Sequence, residues 1–463
     1  MYTTSFSHQN SKQQFENILS FLKEKEWIFN YPNTHILVNK VLDSFPEEWI
    51  NCLKHISNTD LNNLPFGSVN ENWPSSLKMF INNIEDLKCK IDNYSGIFGI
   101  PELPTNICIS AKKQHEIVSL AVVVQSICKQ YNIATVIDVG AGLGYLSQLL
   151  FDKYNYRVLA IEGNKNNIEL ALKNQNKFYP NSKDYVKYVH HFITENSVSD
   201  LRILLKSNFK EWQEDKDLVC ITGLHACADL SVIILNIFSQ LDFVKSLIIM
   251  PCCYHRLELQ EITETEEQFK NFPVSEVLKS VYSNYNGERF LRRPFLRLAC
   301  QQSKGLWKDM SSKDHLVHSK SCIFRAIIQE VAAQENLEVR RLKRKTGKLK
   351  ADSNCNIEDY VGNLKHTHEL IPKEGFSTKC KVPLIDDPIF KSKILEKWNQ
   401  HKENCYLVEI LTAFQTAIQS ICENVVLLDR VEFLREKGLE CNVYKVTDDR
   451  ISPRCHALVA TRL

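Results

Sequence analysis

The chain has 463 residues, of which 44% are hydrophobic and 24% are charged. This length predicts two or three domains, and the apolar share is sufficient for a sizeable core. Because the formal net charge is only +2, composition does not favour a protein that binds nucleic acid or acidic membranes through an overall field. Such a partner would have to bind a local patch.

The start of the chain and its cysteines indicate a compartment. Residues 1–16 are polar and lack the apolar run of a signal peptide, and no stretch of about 18 apolar residues is evident, so we expect no membrane partner. Sixteen cysteines in such a chain are expected to be reduced thiols, which indicates the cytoplasm or the nucleus. They form no Cys-x-x-Cys pairs at zinc-finger spacing, and most are interpreted as buried small hydrophobic residues.

The first region, residues 1–105, is predicted to be mainly helical. Residues 15–22 carry apolar side chains at helical spacing, and the segment from Pro46 continues with two glutamates, which is typical of a helix start. Pro101 and Pro104 then interrupt the chain and indicate a boundary.

Residues 106–257 alternate between short β-branched runs and helical stretches. This alternation predicts βαβ units, with a parallel sheet, right-handed crossovers and helices on both faces. The predicted strands are TVIDV (135–139), RVLAI (157–161), YVKYV (185–189), LVCIT (218–222) and SLIIM (246–250).

Residues 258–404 are irregular by comparison and are interpreted as an insertion or subdomain. Helices are predicted at 321–339 and 388–403. A basic run, RRLKRKTGKLK, occupies residues 340–350. It could bind phosphates, but a solvated charge cluster or a nuclear localisation signal is an equally open interpretation.

Residues 405–463 become regular again. A helical stretch is followed by two strands, ECNVYKV (440–446) and HALVATRL (456–463), joined by a turn. An antiparallel pair of this kind would complete the sheet of residues 106–257. The predicted fold is therefore α/β, with a Rossmann-like, mostly parallel seven-stranded sheet built from two separate parts of the chain.

A glycine-rich turn follows the first predicted core strand. Gly140, Gly142 and Gly144 allow a sharp bend and let a ligand approach main-chain N–H groups. The next helix directs its N-terminal dipole at the same place, which favours an anionic group. Glu162 ends the second strand 24 residues after Asp138, close to the spacing of about 20 at which an acid accepts ribose hydroxyls.

These features favour S-adenosylmethionine as the cofactor and a class I methyltransferase core. Asp138, two residues before the first glycine, could order the turn or accept a hydrogen bond from the ligand's ammonium group. Two alternatives stay open, namely a dinucleotide site and a turn that only packs a helix on a strand. The predicted cofactor-binding residues are Asp138, Gly140, Ala141, Gly142, Gly144 and Glu162.

Two further segments, residues 222–230 and 250–256, follow the fourth and fifth predicted strands. Ligands of open parallel sheets bind beyond the carboxyl ends of the strands, so both segments should line the site. We favour the interpretation in which His225, Tyr254 and Cys252 act on the acceptor, with His225 or Tyr254 positioning it or taking its proton. In a second interpretation the cysteines only pack beneath the site. In a third, zinc is bound by His225, Cys227, Cys252, Cys253 and His255.

The catalytic residues are thus predicted to be His225, Tyr254 and Cys252, and no metal ligand is predicted. The helix before the first strand begins with AKKQHE, which could place Lys113 or His115 over the rim of the cofactor site. A solvated, charged helix start is the alternative for that segment.

The residues also resemble a known family. The chain resembles the methyltransferase-like protein 25 family, including its relative described as a ribosomal RNA adenine dimethylase domain-containing protein. The stretches that carry the resemblance are SAKKQHEI, VIDVGAGLGYLSQLL, GLHACADLS, MPCCYHRL, PFLRLACQ, LLDRVEFLREKG and SPRCHALVA. Two positions depart from it, with Ala228 where the family pattern has glycine and Ala111 where it has proline.

A second and weaker resemblance bears on the acceptor. The segments around His225 and Cys252 are similar to paired loops of the tRNA ribose 2'-O-methyltransferases that modify the acceptor stem, which implies RNA. The fourth strand leads into TGLHAC rather than an Asn-Pro-Pro-Tyr or Asp-Pro-Pro-Tyr loop, so adenine N6-methylation is not favoured. The leading hypothesis is methyl transfer to RNA. Methyl transfer to a protein or small molecule and a catalytically silent binding module are the alternatives; DNA is not expected, and the sequence does not indicate an oligomeric state.

Overall fold

The computed structural model describes most of the chain, and its residues fall into two compact units. The described residues are 11–95, 109–260, 267–285, 290–301, 304–342, 356–373, 385 and 387–462. The first unit comprises residues 1–20, 87–303 and 420–463, and the second comprises residues 21–86 and 304–419. The predicted boundary at Pro101 and Pro104 and residues 343–350 of the basic run lie outside the described residues.

Helices and strands alternate through the middle of the chain. The α-helices are α1 (Ser11–Glu24), α2 (Glu47–Leu53), α3 (Asn58–Asn63), α4 (Ser75–Leu87), α5 (Ala111–Gln130), α6 (Tyr145–Tyr154), α7 (Lys165–Phe178), α8 (Val198–Asn208), α9 (Asp229–Gln240), α10 (Glu276–Ser283), α11 (Arg293–Ala299), α12 (Ser312–Gln334), α13 (Ile357–Leu364), α14 (Pro388–His401) and α15 (Cys405–Arg435). The strands are β1 (Asp92–Asn93), β2 (Thr135–Val139), β3 (Arg157–Glu162), β4 (Val186–His190), β5 (Val219–Cys227), β6 (Val244–Cys252), β7 (Leu337–Arg341), β8 (His368–Pro372), β9 (Glu440–Lys445) and β10 (His456–Thr461).

The first unit is built on a mixed sheet with the order β4-β3-β2-β5-β6-β10-β9-β1. Neighbouring strands from β4 to β6 pair in parallel, and β10 pairs antiparallel with both β6 and β9. The predicted Rossmann-like methyltransferase fold is therefore confirmed. The sheet has eight strands instead of the predicted seven, because the two-residue strand β1 is added in parallel at the edge beside β9.

Apolar side chains explain why these segments occupy the centre. Every residue of β2 is buried, and one face of the sheet packs against α5 and α6 through one continuous cluster that includes Val124, Val136, Leu149 and Val158. Strands covered on both faces are near-continuous apolar runs, and TVIDV and RVLAI follow this rule apart from their first residues, Thr135 and Arg157, and the central Asp138. A buried carboxylate in such a strand needs a specific partner, and it marks the place where the site begins.

Strands β5 and β6 are longer than predicted. Each has nine residues, so His225 and Cys227 lie in β5 and Cys252 ends β6, where the sequence predicted loops. The pairing of β5 with β6 shifts register between Gly223 and Ala226 and then resumes. A strand with this irregularity does not keep a simple apolar pattern, and the strand predicted from the sequence therefore ends too early, at Thr222.

The second unit combines parts of the chain that the sequence assigned to separate regions. Trp49, Phe80 and Phe414 pack against one another, with ring centroids 5.2 to 5.5 Å apart. These aromatic contacts join residues from the predicted N-terminal region to residues beyond position 404, so the predicted division at 105 and 404 differs from the division in the structure. The unit also contains the antiparallel pair β7–β8, which was not predicted because residues 337–339 were assigned to a helix.

One helical stretch of the described residues, 388–435, is apolar enough by length and composition to cross a membrane. Its apolar window has a mean hydropathy of 1.3 and is 67% buried inside the protein. A buried core helix passes the same test, so the stretch is weak evidence for a membrane span. The expectation that no such stretch exists was nevertheless wrong. Composition alone does not distinguish a buried core helix from a membrane span, whereas burial inside the protein does.

Candidate functional site

The glycine turn and Glu162 form one hydrogen-bonded structure at the carboxyl edge of the sheet. The backbone N–H of Gly142 donates to Glu162 Oε2 at 2.8 Å, and the N–H of Asn164 donates to Glu162 Oε1 at 2.8 Å. The Glu162 side chain is only partly buried, so the remaining lone pairs of its carboxylate can accept further hydrogen bonds. This is what a ribose-binding acid requires.

The turn itself needs glycine at two points. Gly144 has φ +73°, and a Cβ atom there would lie 2.1 Å from Tyr188 Oη. Gly142 has φ +59°, and a Cβ atom there would meet nothing within 4 Å. Packing against Tyr188 therefore disfavours a side chain at Gly144, whereas Gly142 borders open space that a ligand could fill.

Asp138 lies beneath the turn. Its side chain is 1% exposed, and Ser147 Oγ donates to its Oδ2 at 2.6 Å. The carboxylate therefore ties β2 to the first turn of α6, which is the ordering role that the sequence offered as one of two possibilities. Burial raises its pKa to about 6; the hydrogen bond from Ser147 offsets part of this, and the charge of Glu162 adds to it.

We predict that Asp138→Asn changes the pH dependence of stability. Because the folded-state pKa of about 6 lies above the unfolded value of 3.8, the folded state loses stability as the pH rises between these values. The free energy of unfolding of the variant minus that of wild type should therefore increase by up to ~3 kcal/mol as the pH is raised from about 4 to about 7.5. Denaturant unfolding at both pH values measures this gain, and Asp152→Asn on the exposed face of α6 is the control. An equal effect of Asp138→Asn at both pH values would contradict the buried, pKa-shifted carboxyl.

A cavity of about 580 Å³ opens beside the turn. Its size suits a cofactor-sized ligand, and its walls are mainly apolar with a few polar groups, as in most small-molecule sites. The predicted residues Gly140 and Glu162 line it, whereas Asp138, Ala141, Gly142 and Gly144 are not among its lining residues. The other lining residues are Val139, Ile161, Gly163, Asn164, His191, Phe192, Ile193, Cys227, Ala228, Asp229, Leu230, Ile233 and Glu258.

Phe192 is the functional candidate that sequence reasoning missed on this wall. It follows the end of β4, it is 75% exposed, and its ring lies close to Gly163. A large aromatic side chain left in solvent at the mouth of a cavity is available to stack on a planar ligand. The rule that ligands bind beyond strand ends applies to β4 as well as to β5 and β6, and it could have indicated this residue.

Ala228 occupies a strained position in the cavity wall. Its backbone has φ 49° and ψ −126°, a conformation that is almost confined to glycine, between the end of β5 and the start of α9. The glycine that the resemblance implies at this position therefore has a physical reason. The N–H of Ala228 donates to Cys252 O at 2.9 Å, which fixes the strained residue in place.

We predict that Ala228→Gly increases the melting temperature. Removing the Cβ atom from this conformation should add about 1 kcal/mol to the free energy of unfolding, less the entropy cost of a new glycine. The matched control is Ala226→Gly, two residues earlier in a regular, fully buried part of the strand, which should lower stability. Thermal unfolding of the two variants measures both effects, and a loss at both positions would contradict the assignment of strain.

His225 lies beside a buried carboxylate that sequence reasoning did not identify. His225 Nε2 is 3.3 Å from Glu116 Oε2, and the histidine side chain is 40% exposed while that of Glu116 is 2% exposed. Ser452 Oγ also donates to Glu116, and Lys112 Nζ lies 3.8 Å from it. Burial alone would raise the pKa of Glu116, but the hydrogen bonds from His225 and Ser452 and the nearby positive charges lower it below its usual value.

This arrangement resembles a base held by an orienting acid. An ionised Glu116 accepts a hydrogen bond from His225 Nε2–H, which fixes the tautomer and leaves the lone pair of Nδ1 free to accept a proton. Of the predicted catalytic residues, His225 is thus the one whose surroundings suit a general base. The signal that could have indicated Glu116 is a charged residue within the apolar sequence HEIVSLAVVV.

Tyr254 does not face the cavity, which corrects its predicted role. Its side chain is 1% exposed, its hydroxyl donates to Pro251 O at 3.3 Å, and the Arg430 guanidinium lies over its ring at 5.2 Å. Burial raises the pKa of this phenol well above its usual value. Since the hydroxyl is enclosed and remains protonated, Tyr254 supports the segment after β6 and is not placed to contact an acceptor.

The three cysteines at the ends of β5 and β6 come together. The Sγ atoms of Cys227, Cys252 and Cys253 all lie within 4.8 Å of one another, and those of Cys227 and Cys252 are 3.0 Å apart. The two histidines of the alternative zinc interpretation have other contacts, since His225 lies on Glu116 and His255 Nδ1 is 3.1 Å from Cys300 Sγ.

The two residues predicted at the rim of the cofactor site have different surroundings. Lys113 Nζ lies 4.6 Å from the ring centroid of Tyr145, the first residue after the glycine turn. His115 Nε2 accepts the backbone N–H of Asp448 at 2.9 Å and so fixes the turn between β9 and β10. Lys113 therefore stays close to the site, whereas His115 has a structural contact.

Comparison with known families assigns the part of the chain that holds this site. Residues 112–260 match the model of the methyltransferase domain family described as Methyltransf_32. Residues 112–260 are therefore similar to a methyltransferase domain. This stretch contains the glycine turn, Glu162, the pair of His225 and Glu116, and the cysteine cluster, and the match supports the predicted cofactor, S-adenosylmethionine.

Curated relatives point to the family that the sequence resembles. The probable methyltransferase-like protein 25 of Mus musculus and that of Homo sapiens are each 23% identical to the chain over 256 residues, which cover 54% of this chain and 38% of each relative. The predicted family resemblance is confirmed, while the relation to the ribosomal RNA adenine dimethylase domain-containing protein stays a prediction. The chain aligns with less than half the length of these relatives.

A solved structure was also found by comparison of folds. The structure of M. capricolum TrmK in complex with S-adenosyl-homocysteine is 22% identical to this chain, with a TM-score of 0.19. The matched region covers 26% of this chain and 45% of the TrmK chain. At this TM-score the likeness carries no conclusion about the methyltransferase domain.

Proposed function

We propose that the chain transfers the methyl group of S-adenosylmethionine to an acceptor bound at the carboxyl ends of β5 and β6. The observation that carries this proposal is the joint structure of Glu162 and the glycine turn on the wall of the 580 Å³ cavity. A turn that merely packed a helix on a strand would need neither the open space at Gly142 nor a solvent-accessible carboxylate beside it.

The residues around the cavity fit the parts of the cofactor. Glu162 would accept hydrogen bonds from the ribose hydroxyls, and the N-terminal N–H groups of α6 would bind the methionine carboxylate. Phe192 and the apolar side chains of Ile161 and Leu230 would enclose the adenine. When bound, the sulfonium supplies an activated methyl group.

His225 is proposed to act on the acceptor. If the acceptor is a hydroxyl, the lone pair of His225 Nδ1 would take its proton, and the activated methyl group would be supplied by the bound cofactor. Glu116 stabilises the imidazolium that results. Most of the rate enhancement would still come from in-line alignment and the exclusion of water, because the methyl group is already activated.

RNA is the proposed acceptor class. Burial lowers the pKa of His255, in the segment after β6, and the nearby charges of Arg297, Arg256 and Arg454 lower it further. A group of arginines beside the proposed acceptor position suits phosphate contacts. Part of the basic run at 340–350 could add to them, but residues 343–350 lie outside the described residues. A protein or small-molecule acceptor would not need this local charge.

Transfer of a labelled methyl group tests the acceptor class. The full chain is incubated with methyl-labelled S-adenosylmethionine and either total RNA or total protein, in parallel with Glu162→Ala. We expect label in RNA with wild type and not with Glu162→Ala. The amount of labelled RNA should decrease as the salt concentration is raised, because binding to phosphates weakens. Label in protein alone would overturn the RNA assignment, and cofactor binding without transfer to either pool would favour the silent binding module.

A further inference from the structure

The cysteine cluster of Cys227, Cys252 and Cys253 has a geometry that neither the proposed function nor simple packing requires. Cys227 and Cys252 are direct partners in the parallel pairing of β5 with β6, so their side chains leave the sheet side by side. Their Sγ atoms are 3.0 Å apart, closer than two unbonded sulfur atoms ordinarily lie. Something other than apolar packing must favour such an approach.

Cys253 joins the cluster because the backbone turns sharply there. Adjacent residues of a strand point to opposite faces, so two neighbouring cysteines can bind one ion only if the chain leaves the strand between them. Cys253 has φ 54° and ψ 39°, a left-handed conformation that is uncommon outside glycine, asparagine and aspartate. The Sγ atoms of Cys252 and Cys253 are thereby brought within 4.8 Å of each other and of Cys227.

The spacing of the sulfur atoms matches a known coordination sphere. Zinc–sulfur bonds of about 2.3 Å in a tetrahedral site place neighbouring sulfur atoms about 3.8 Å apart. The observed range, from 3.0 Å to at most 4.8 Å, brackets this value, so small side-chain rotations suffice to close the site on an ion. A metal site with three protein ligands and a free fourth position is the arrangement that catalytic zinc sites use.

The surroundings can accommodate the charge of such a site. Arg454 lies close enough to Cys253 to act on it electrostatically. Three thiolates and one divalent cation carry a net charge of about −1, which Arg454 can balance.

We propose that Cys227, Cys252 and Cys253 bind one zinc ion at the edge of the methyl-donor cavity. Cys227 belongs to the wall of that cavity, so the free fourth position is placed for water or for an acceptor atom beside the donor. This assignment differs from the zinc interpretation of the sequence, because His225 and His255 are not ligands. It does not depend on the proposed methyl transfer, since zinc can be measured without cofactor or acceptor.

Metal analysis of the purified full chain tests the site. The chain is prepared under reducing conditions without a metal-binding tag, loaded with Zn²⁺, freed of excess metal and examined by plasma mass spectrometry. Wild type and Cys52→Ser, a control in the second unit, should retain one zinc per chain. Cys227→Ser and Cys253→Ser should lose more than about 100-fold in affinity, beyond what loss of an outer hydrogen-bond partner costs.

Cobalt provides a readout that does not depend on whether a variant folds. Wild-type chain loaded with Co²⁺ should show a thiolate-to-metal charge-transfer band, and added Zn²⁺ should remove it. Retention of no zinc by wild type, or equal retention by Cys227→Ser and Cys52→Ser, would overturn the proposal. Recovery of a Cys227–Cys252 disulfide from wild type that binds no metal would also overturn it and assign the short sulfur contact to thiol oxidation.

Discussion

Glu162→Ala should abolish binding of S-adenosylmethionine. The carboxylate would accept two hydrogen bonds from the ribose, and hydrogen bonds to charged groups contribute about 1.5–3 kcal/mol each, so we expect affinity to fall by more than about 100-fold. The variant also removes the acceptor for the N–H groups of Gly142 and Asn164, so the turn would keep only its backbone hydrogen bonds to Ile161 among these contacts with β3. Isothermal titration with the cofactor measures the loss directly.

Two further variants separate these contributions. Glu162→Gln keeps one carbonyl oxygen and removes the charge, so its affinity should lie between that of wild type and that of Glu162→Ala. Glu169→Gln changes an exposed acid on α7 and should bind as wild type does. If Glu162→Ala bound the cofactor with unchanged affinity, the cavity beside the glycine turn would not be its site.

His225→Ala should lower the rate of methyl transfer by about 10²- to 10⁴-fold and leave cofactor affinity unchanged. Glu116→Gln should have a smaller effect on the rate, because it removes the carboxylate that orients the imidazole and stabilises its charged form. Labelled-methyl transfer to RNA measures the rates of both variants.

Tyr254→Phe is the informative control for this prediction. The sequence predicted a catalytic role for Tyr254, but its enclosed hydroxyl contacts Pro251 O and the Glu423 carboxylate in the structure. The variant should therefore keep the rate of methyl transfer, with a modest loss of stability of about 1 kcal/mol from the lost hydrogen bond. A rate of methyl transfer that is the same for Glu116→Gln and wild type would rule out the proposed pairing with His225.

The sequence was sufficient for the parts of the site that depend on local pattern. The run from Val136 to Gly144 specifies a strand, a turn and a helix within nine neighbouring positions, and Glu162 follows at the spacing of the next strand. Each of these is dictated by backbone geometry that is short in range, because glycine, strand length and helix start act within a few residues.

The parts that could not be predicted depend on packing over long separations. Glu116 and Ser452 are 336 positions apart, and their hydrogen bond exists only because α5 packs against the turn after β9. Glu116 likewise meets His225 through the packing of α5 on β5. Tyr254 was predicted to be catalytic because polar residues at strand ends are often functional. Its burial beneath Arg430, which the sequence does not reveal, corrects that prediction. The left-handed backbone of Cys253 likewise has no signature in the residue itself.

The strand order has a consequence for synthesis of the chain. The outer edge of β6 is covered by β10, whose residues are made only after the whole second unit. Until residues 456–461 leave the ribosome, the backbone groups along Leu247, Ile248 and Ile249 have no partner and form an open, apolar template for other nascent strands. Chains halted before that point should therefore depend on chaperones that hold exposed β-edges, and premature termination should yield aggregates instead of a smaller, functional domain.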